Sequence, residues 1–199
     1  MRGLEQIPLV YDSLMAVMDR LLLGRWRRSL VQEGDGSVLE VGVGTGRTLA
    51  LHSPATQVVG LDPDRVVLRT ALRRAPGIPL VQARAEALPF REDAFDVVVS
   101  SLVFCSVDEP EVGLLEVARV LRPGGSLRML EHVRPRSRLG GWLARCIQPP
   151  WTALTGGCRP DRDTEGTVRS MGFRVDPGTR RSRWILRRFD AVPEGDDVG

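Results

Sequence analysis

Three glycines, two carboxylates, a histidine and a cysteine carry most of the chemistry this chain can offer. The run Val38-Leu39-Glu40-Val41-Gly42-Val43-Gly44-Thr45-Gly46 leads from an apolar stretch through an acidic residue to glycines at every second position. It predicts a strand, a tight loop and a helix start, with backbone brought close to a ligand where a Cβ would collide. A dinucleotide loop of the G-x-G-x-x-G type would place its third glycine at position 47, which is Arg47. The observed G-x-G-x-G, with Glu40 two residues ahead, departs from that pattern. Further on, Gln57-Val58-Val59-Gly60-Leu61-Asp62 reads as a second strand ending in a carboxylate. A carboxylate at that separation is placed to accept hydrogen bonds from ribose hydroxyls. Pro63 and Asp64 follow as helix-start residues, and a helix N-cap is the plainer reading of Asp62.

His132 ends an apolar run, and because histidine is the side chain whose unperturbed pKa lies near neutrality, it is the candidate general base. Its plainer reading is a polar residue at a strand end. Cys105 is a candidate catalytic residue on the acceptor side, or a small core residue, the commoner fate of a free cysteine. His52 is expected on the surface, late in the first helix. Cys105, Cys146 and Cys158 lack C-x-x-C spacing. That spacing argues against a structural zinc site and a disulfide framework, so no metal ligand set is expected.

Composition narrows the class. A chain of 199 residues with 42% hydrophobic content suits a single core. No apolar stretch approaches the length of a membrane span, and no secretory signal is visible. The thiol usage fits a reducing, cytoplasmic setting. All 28 basic residues are arginine, so lysine chemistry, Schiff base or general base, is excluded. The net charge of +3 is small, and Arg180-Arg181-Ser182-Arg183 lacks interleaved aromatics; a solvated face is expected there rather than a nucleic-acid partner.

The elements that must position these residues follow from periodicity. Strands are expected at 37–42, 57–61, 79–82, 95–101 and 126–131, and helices at 46–52, 64–75 and 110–122. Their alternation implies an α/β fold, a mostly parallel sheet with helices on both faces. A further helix is expected near 163–171, then an antiparallel pair at 172–175 and 183–189. Residues 1–36 read as an N-terminal helical cap, 37–190 as the main domain and 191–199 as a disordered tail. Within the cap, residues 9–31 read as helical, and Leu21 to Arg28 is a basic amphipathic stretch. It can rest on a membrane surface as a weak contact, but a lid packed on its own domain is the preferred reading.

Four blocks stand in a fixed order: Glu40 to Gly46; Leu61-Asp62; Ala85-Glu86-Ala87-Leu88-Pro89-Phe90 with Phe95-Asp96-Val97-Val98; and Arg119-Val120-Leu121-Arg122-Pro123-Gly124-Gly125. Together they resemble the class I S-adenosylmethionine-dependent methyltransferases over about residues 38–132. The resemblance implies a Rossmann-like seven-stranded sheet and S-adenosylmethionine as cofactor. The implied cofactor residues are Tyr11, Glu40, Gly42, Gly44, Thr45, Gly46, Asp62, Pro63, Ala85, Glu86 and Ser101. It also implies a small-molecule methyl acceptor approaching from the ends of the fourth and fifth strands, between Cys105 and His132, the candidate catalytic pair. Residues 139–158 would form the outer wall.

Many relatives carry two histidines where this chain has Cys105-Ser106. A narrower likeness rests on Leu102 to Val107, Glu131-His132-Val133, Gln148-Pro149-Pro150-Trp151 and Gly157-Cys158. These segments resemble the methyltransferase-like alkyl-thiol methyltransferases, which implies a thiol acceptor. The alternatives are a phospholipid or other amine, a quinone precursor at carbon, arsenite, for which the three cysteines lack the expected paired arrangement, and a non-catalytic S-adenosylmethionine-binding module. Oligomeric state is not implied by any of these features.

Overall fold

The protein is described by a computed structural model, which covers residues 16, 19, 23–32, 36–133, 158–159, 161–183 and 185–195. Tyr11, Cys146 and most of the expected outer wall at 139–158 lie outside the described residues. So does most of residues 9–22.

Five strands run parallel: β1 (Ser37–Val41), β2 (Gln57–Asp62), β3 (Leu80–Gln82), β4 (Phe95–Ser101) and β5 (Leu121–His132). Three more complete the sheet: β6 (Phe173–Val175), β7 (Arg181–Arg183) and β8 (Leu186–Pro193). The order is β3-β2-β1-β4-β5-β8-β6, with β7 also paired to β8. β8 runs antiparallel to β5. The sheet thus has eight strands rather than the seven expected. The difference lies at one edge, where β6 pairs with Val192 and its neighbours while β7 pairs with Leu186 to Arg188. Two short strands lie end to end along β8 and share the outermost position.

Central parallel strands are covered on both faces, so they read as nearly unbroken apolar runs. Alternate residues of β1 fall on opposite faces. Leu39 and Val41 join one buried cluster with Leu114 and Val117 of α3 (Pro110–Val120) and Val168 of α4 (Thr164–Ser170). Val38 joins the other with Ala71 of α2 (Arg65–Arg74) and with Leu23 and Leu30, which flank α1 (Gly24–Arg28). α1 is thereby packed on the domain. Arg128 and Arg188 hold its exit by donating to the carbonyls of Leu30 and Ser29. Helix starts follow their capping signals: Asp64 accepts from the Val66 N–H and Asp163 from the Gly166 N–H. Among the described residues no helix is long and apolar enough to cross a membrane.

Several boundaries differ from expectation. The helix expected at 46–52 is a set of turns closed by a short 3₁₀ segment, Leu49–Leu51. His52 is extended there, and Pro54 follows closely. Proline disfavours helical backbone in the residue before it, Ser53. The fifth strand starts at Leu121, five residues earlier than the expected 126. Leu121 pairs with Phe95 and Ser126 with Val97, so Arg122 to Gly125 bulge out within the strand. β8 continues to Pro193, inside the segment expected to be a tail, because β6 pairs with it there.

One ion pair ties the start of β1 to β4 and β5. Asp96 accepts from Arg122 Nη1 at 2.6 Å and from the Ser37 N–H at 2.7 Å. The hydrogen bond from Arg122, then that from Ser37, lowers the Asp96 pKa below its ordinary value. A carboxylate depressed in the folded state stabilises above its unfolded pKa, and that stability is lost as pH falls through the folded value. Stability of the protein should therefore decline from about pH 4 downward, and less steeply in Asp96→Asn. Urea midpoints measured across the acid range check this; parallel curves would assign the decline to other groups.

Candidate functional site

A cleft of about 300 Å³ opens at the carboxyl ends of β1, β2 and β4. That is where the strand order reverses, the usual ligand position in an open α/β sheet. Its walls include Glu40, Gly42, Gly44, Thr45, Asp62, Pro63, Ala85, Glu86 and Ser101, together with Arg27, Thr48, Val103, Ser106 and Asp108.

The glycine loop divides its labour. All three glycines have positive φ, at 67°, 52° and 81° for Gly42, Gly44 and Gly46. At Gly44 an added Cβ would meet no protein atom within 4 Å. The loop leaves open space there, a cradle into which a side chain would intrude. Gly46 does something else: its Cβ would lie 2.9 Å from the Ala71 Cα. It lets α2 pack against the loop and is not on the cleft wall. The Thr45 hydroxyl accepts from Arg74 Nη1 at 2.8 Å, which clamps the loop to the last turn of α2.

Asp62 shapes the loop as well as facing the cleft. Its carboxylate accepts from the Gly44 N–H and the Asp64 N–H, both at 2.9 Å. Burial pushes its pKa up, and these two N–H groups pull it back. Glu40 is buried beneath the glycines and hydrogen-bonded to His52 Nε2 at 3.0 Å. Burial likewise raises the Glu40 pKa, opposed by His52 and by the charge of Arg27. The surface position expected for His52 is wrong. The extended backbone before Pro54 turns the ring inward, onto the carboxylate.

Arg27 is the functional candidate that periodicity overlooked. Its guanidinium is buried and donates to Thr48 Oγ1 and Ser101 Oγ, each at 2.9 Å, and to Asp19 Oδ1 at 3.0 Å. A legible signal existed: position 27 shares a helical face with Leu23 and Leu30, so an arginine there points inward. Leu102 also departs from the ordinary, with φ of 62° at the end of β4. A bulky residue in that region is uncommon and strained. Its N–H donates to the Leu130 carbonyl at 2.7 Å, and the bend redirects the chain along the cleft.

The expected acceptor side is rearranged. Glu131 is fully buried, and its two oxygens accept from the N–H groups of Val103, Phe104 and Cys105 and from the Ser100 hydroxyl. Burial raises its pKa, while the three N–H groups lower it. It shapes the loop after β4 and faces no acceptor. Cys105 is buried, and its Sγ lies 4.0 Å from His132 Nδ1. No acceptor fits between groups that close, so the expected pocket between them is corrected. Cys158 completes the cluster at 3.4 Å from both Cys105 Sγ and His132 Nδ1. Its hydrogen bond, followed by burial, pushes the Cys105 thiol well above its ordinary pKa. The cleft instead reaches the end of β4 through Ser101, Val103, Ser106 and Val107.

Residues 39–129 match the family described as a methyltransferase domain. Over 178 residues the chain is 31% identical to the thiol S-methyltransferase TMT1A of Homo sapiens, covering 85% of this chain and 73% of that protein. The chain belongs to the class I S-adenosylmethionine-dependent methyltransferases. It is also 35% identical over 168 residues to the ubiquinone/menaquinone biosynthesis C-methyltransferase UbiE of Syntrophotalea carbinolica, covering 79% of this chain and 71% of that one. A phosphatidylethanolamine N-methyltransferase of Cereibacter sphaeroides is 39% identical over 103 residues, 49% of this chain and 51% of that protein. In structure, a Thermotoga maritima S-adenosylmethionine-dependent methyltransferase superposes with a TM-score of 0.74 at 22% identity, covering 96% and 98% of the two chains. This methyltransferase therefore shares its fold with enzymes of that class. Its relatives act at sulfur, carbon and nitrogen, so the fold does not choose the acceptor.

Proposed function

We propose that this methyltransferase holds S-adenosylmethionine in the β1–β2–β4 cleft and methylates a small thiol. The open cradle at Gly44 carries the cofactor assignment: left-handed backbone, no protein atom where a Cβ would sit, and the residue's own N–H fixed by the Asp62 carboxylate. Asp62 and Pro63 stand where ribose hydroxyls would lie, and Ala85 and Glu86 border the adenine side. Arg27 offers a buried positive charge to an amino-acid carboxylate, with Glu40 as the opposing charge behind the loop. When bound, S-adenosylmethionine supplies a sulfonium methyl for in-line transfer to a nucleophile.

The protein's contribution is alignment and exclusion of water. Arg27 bonds Ser101 and Thr48 across the cleft, so α1 closes one side while Val103, Ser106 and Val107 border the acceptor's approach. The thiol reading is supported by the 31% identity to TMT1A along most of both chains. Carbon methylation of a quinone precursor is the second reading, supported by the extent of the match to UbiE.

Release of S-adenosylhomocysteine should be followed against alkyl thiols, phenolic quinone precursors and phospholipid vesicles. Turnover is expected with thiols, in a form dependent on thiolate concentration because the thiolate is the reactive species. Turnover on phenols or phospholipids, with none on any thiol, would discard the thiol assignment. Binding of the cofactor without turnover on any of the three would mark a binding module instead.

A further inference from the structure

We infer that Cys105, His132 and Cys158 form a binding site for a thiophilic, zinc-like metal ion. These residues are far apart in sequence, and their donor atoms lie within 4.8 Å of one another. The pairs are separated by 3.4 Å between the two sulfurs, 3.4 Å from Cys158 to His132 Nδ1, and 4.0 Å from Cys105 to His132 Nδ1. With zinc–sulfur bonds of about 2.3 Å and zinc–nitrogen bonds of about 2.0–2.1 Å, tetrahedral coordination has ligand-to-ligand edges of about 3.75 Å for S–S and 3.6 Å for S–N. The observed triangle departs from those edges by only a few tenths of an ångström. Two thiolates and an imidazole are the ligand set that suits zinc.

The donors are held in place by contacts that have no need of one another. Cys105 rides on the loop after β4, whose N–H groups are gathered by Glu131. His132 follows Glu131 directly in β5. The segment that begins at Cys158 is pinned to the same loop. The Arg159 N–H donates to the Cys105 carbonyl at 2.9 Å, and Arg162 Nη1 donates to the carbonyls of Phe104 and Val107 at 2.7 and 2.8 Å. Preorganisation of this kind is what a metal site requires of its surroundings. Three donors among the described residues leave a fourth tetrahedral position for water or an added thiolate, the pattern of a non-structural site. Ser106, on the cleft wall, lies 3.8 Å from Cys105 Sγ, so the cluster adjoins the cleft.

The full chain, purified under reducing conditions and exchanged into zinc or cobalt, provides the test. One zinc per chain is expected by elemental analysis. Cobalt should give the intense visible bands of a tetrahedral ion with thiolate-to-metal charge transfer. Cys105→Ser, Cys158→Ser and His132→Ala should each weaken binding, the cysteine variants by at least about a hundredfold. The metal content and cobalt spectrum of the unaltered protein stand even if a variant fails to fold. Absence of stoichiometric metal in the reduced protein would overturn the inference. So would an octahedral cobalt spectrum without charge transfer, or a Cys105–Cys158 disulfide whose reduced form takes up no zinc. None of these readouts depends on the methyl acceptor, so the site and the thiol assignment stand or fall separately.

Discussion

Gly44→Val is expected to yield a folded protein that binds S-adenosylmethionine at least about tenfold more weakly, a loss of about 1.4 kcal/mol or more. Two effects meet at this position. Valine in left-handed backbone costs stability, since for L-residues that conformation is unfavourable by about 1–2 kcal/mol. Its side chain also projects into space that no protein atom claims within 4 Å, on the wall of the cleft. Gly77→Val separates the two. Gly77 also has positive φ, at 90°, and open space around a built Cβ, but it lies away from the cleft. The control should lose stability and keep its affinity. Calorimetric titration of both variants, with thermal melts alongside, gives the comparison. Equal affinities in the two would place the cofactor elsewhere.

Glu131→Gln is expected to destabilise the fold by about 3 kcal/mol, the sum of one or two lost charge-assisted hydrogen bonds at about 1.5–3 kcal/mol each. The carboxylate is an acceptor at both oxygens: Oε1 takes the N–H groups of Val103 and Phe104 and the Ser100 hydroxyl, and Oε2 takes the Cys105 N–H. An amide has only one acceptor oxygen. Whichever way it is turned, its NH₂ group faces a backbone N–H that then has no partner. For a chain of this size the melting temperature should fall by roughly 6–12 °C. Cofactor affinity should fall as well, because Val103 and Ser106 on the same loop border the cleft. A melting temperature within a degree of the unaltered protein would show that the loop after β4 is held by other contacts.

Much of the cleft wall was legible in the residues alone. Glu40, Gly42, Gly44 and Asp62 are local signals, because a strand ending, a glycine turn and a helix start occupy consecutive positions. The α/β alternation was legible for the same reason. β2 with α2, and β4 with α3, each form one short stretch of chain, and burial on both faces marks the strands with unbroken apolar runs. Sequence also showed an arginine-only basic complement and the absence of C-x-x-C spacing.

Tertiary structure decided whatever depends on residues far apart in the chain. Arg27 read as part of a basic amphipathic stretch until packing of Leu23 and Leu30 turned it toward Ser101, 74 positions away. Glu131 stands at the expected end of the fifth strand, and burial beside a bend at Leu102 made it the acceptor for a whole loop. His52 moved from the expected surface to Glu40 because a short 3₁₀ turn replaced a helix. The cysteines were read by their spacing, which suits metal sites built within one short segment. Cys105 and His132 instead come together across adjacent parallel strand ends, and Cys158 reaches them through hydrogen bonds from Arg159 and Arg162. A chain can encode such a cluster only through its fold, because the distances are set by sheet pairing and loop packing and leave no local pattern in the sequence.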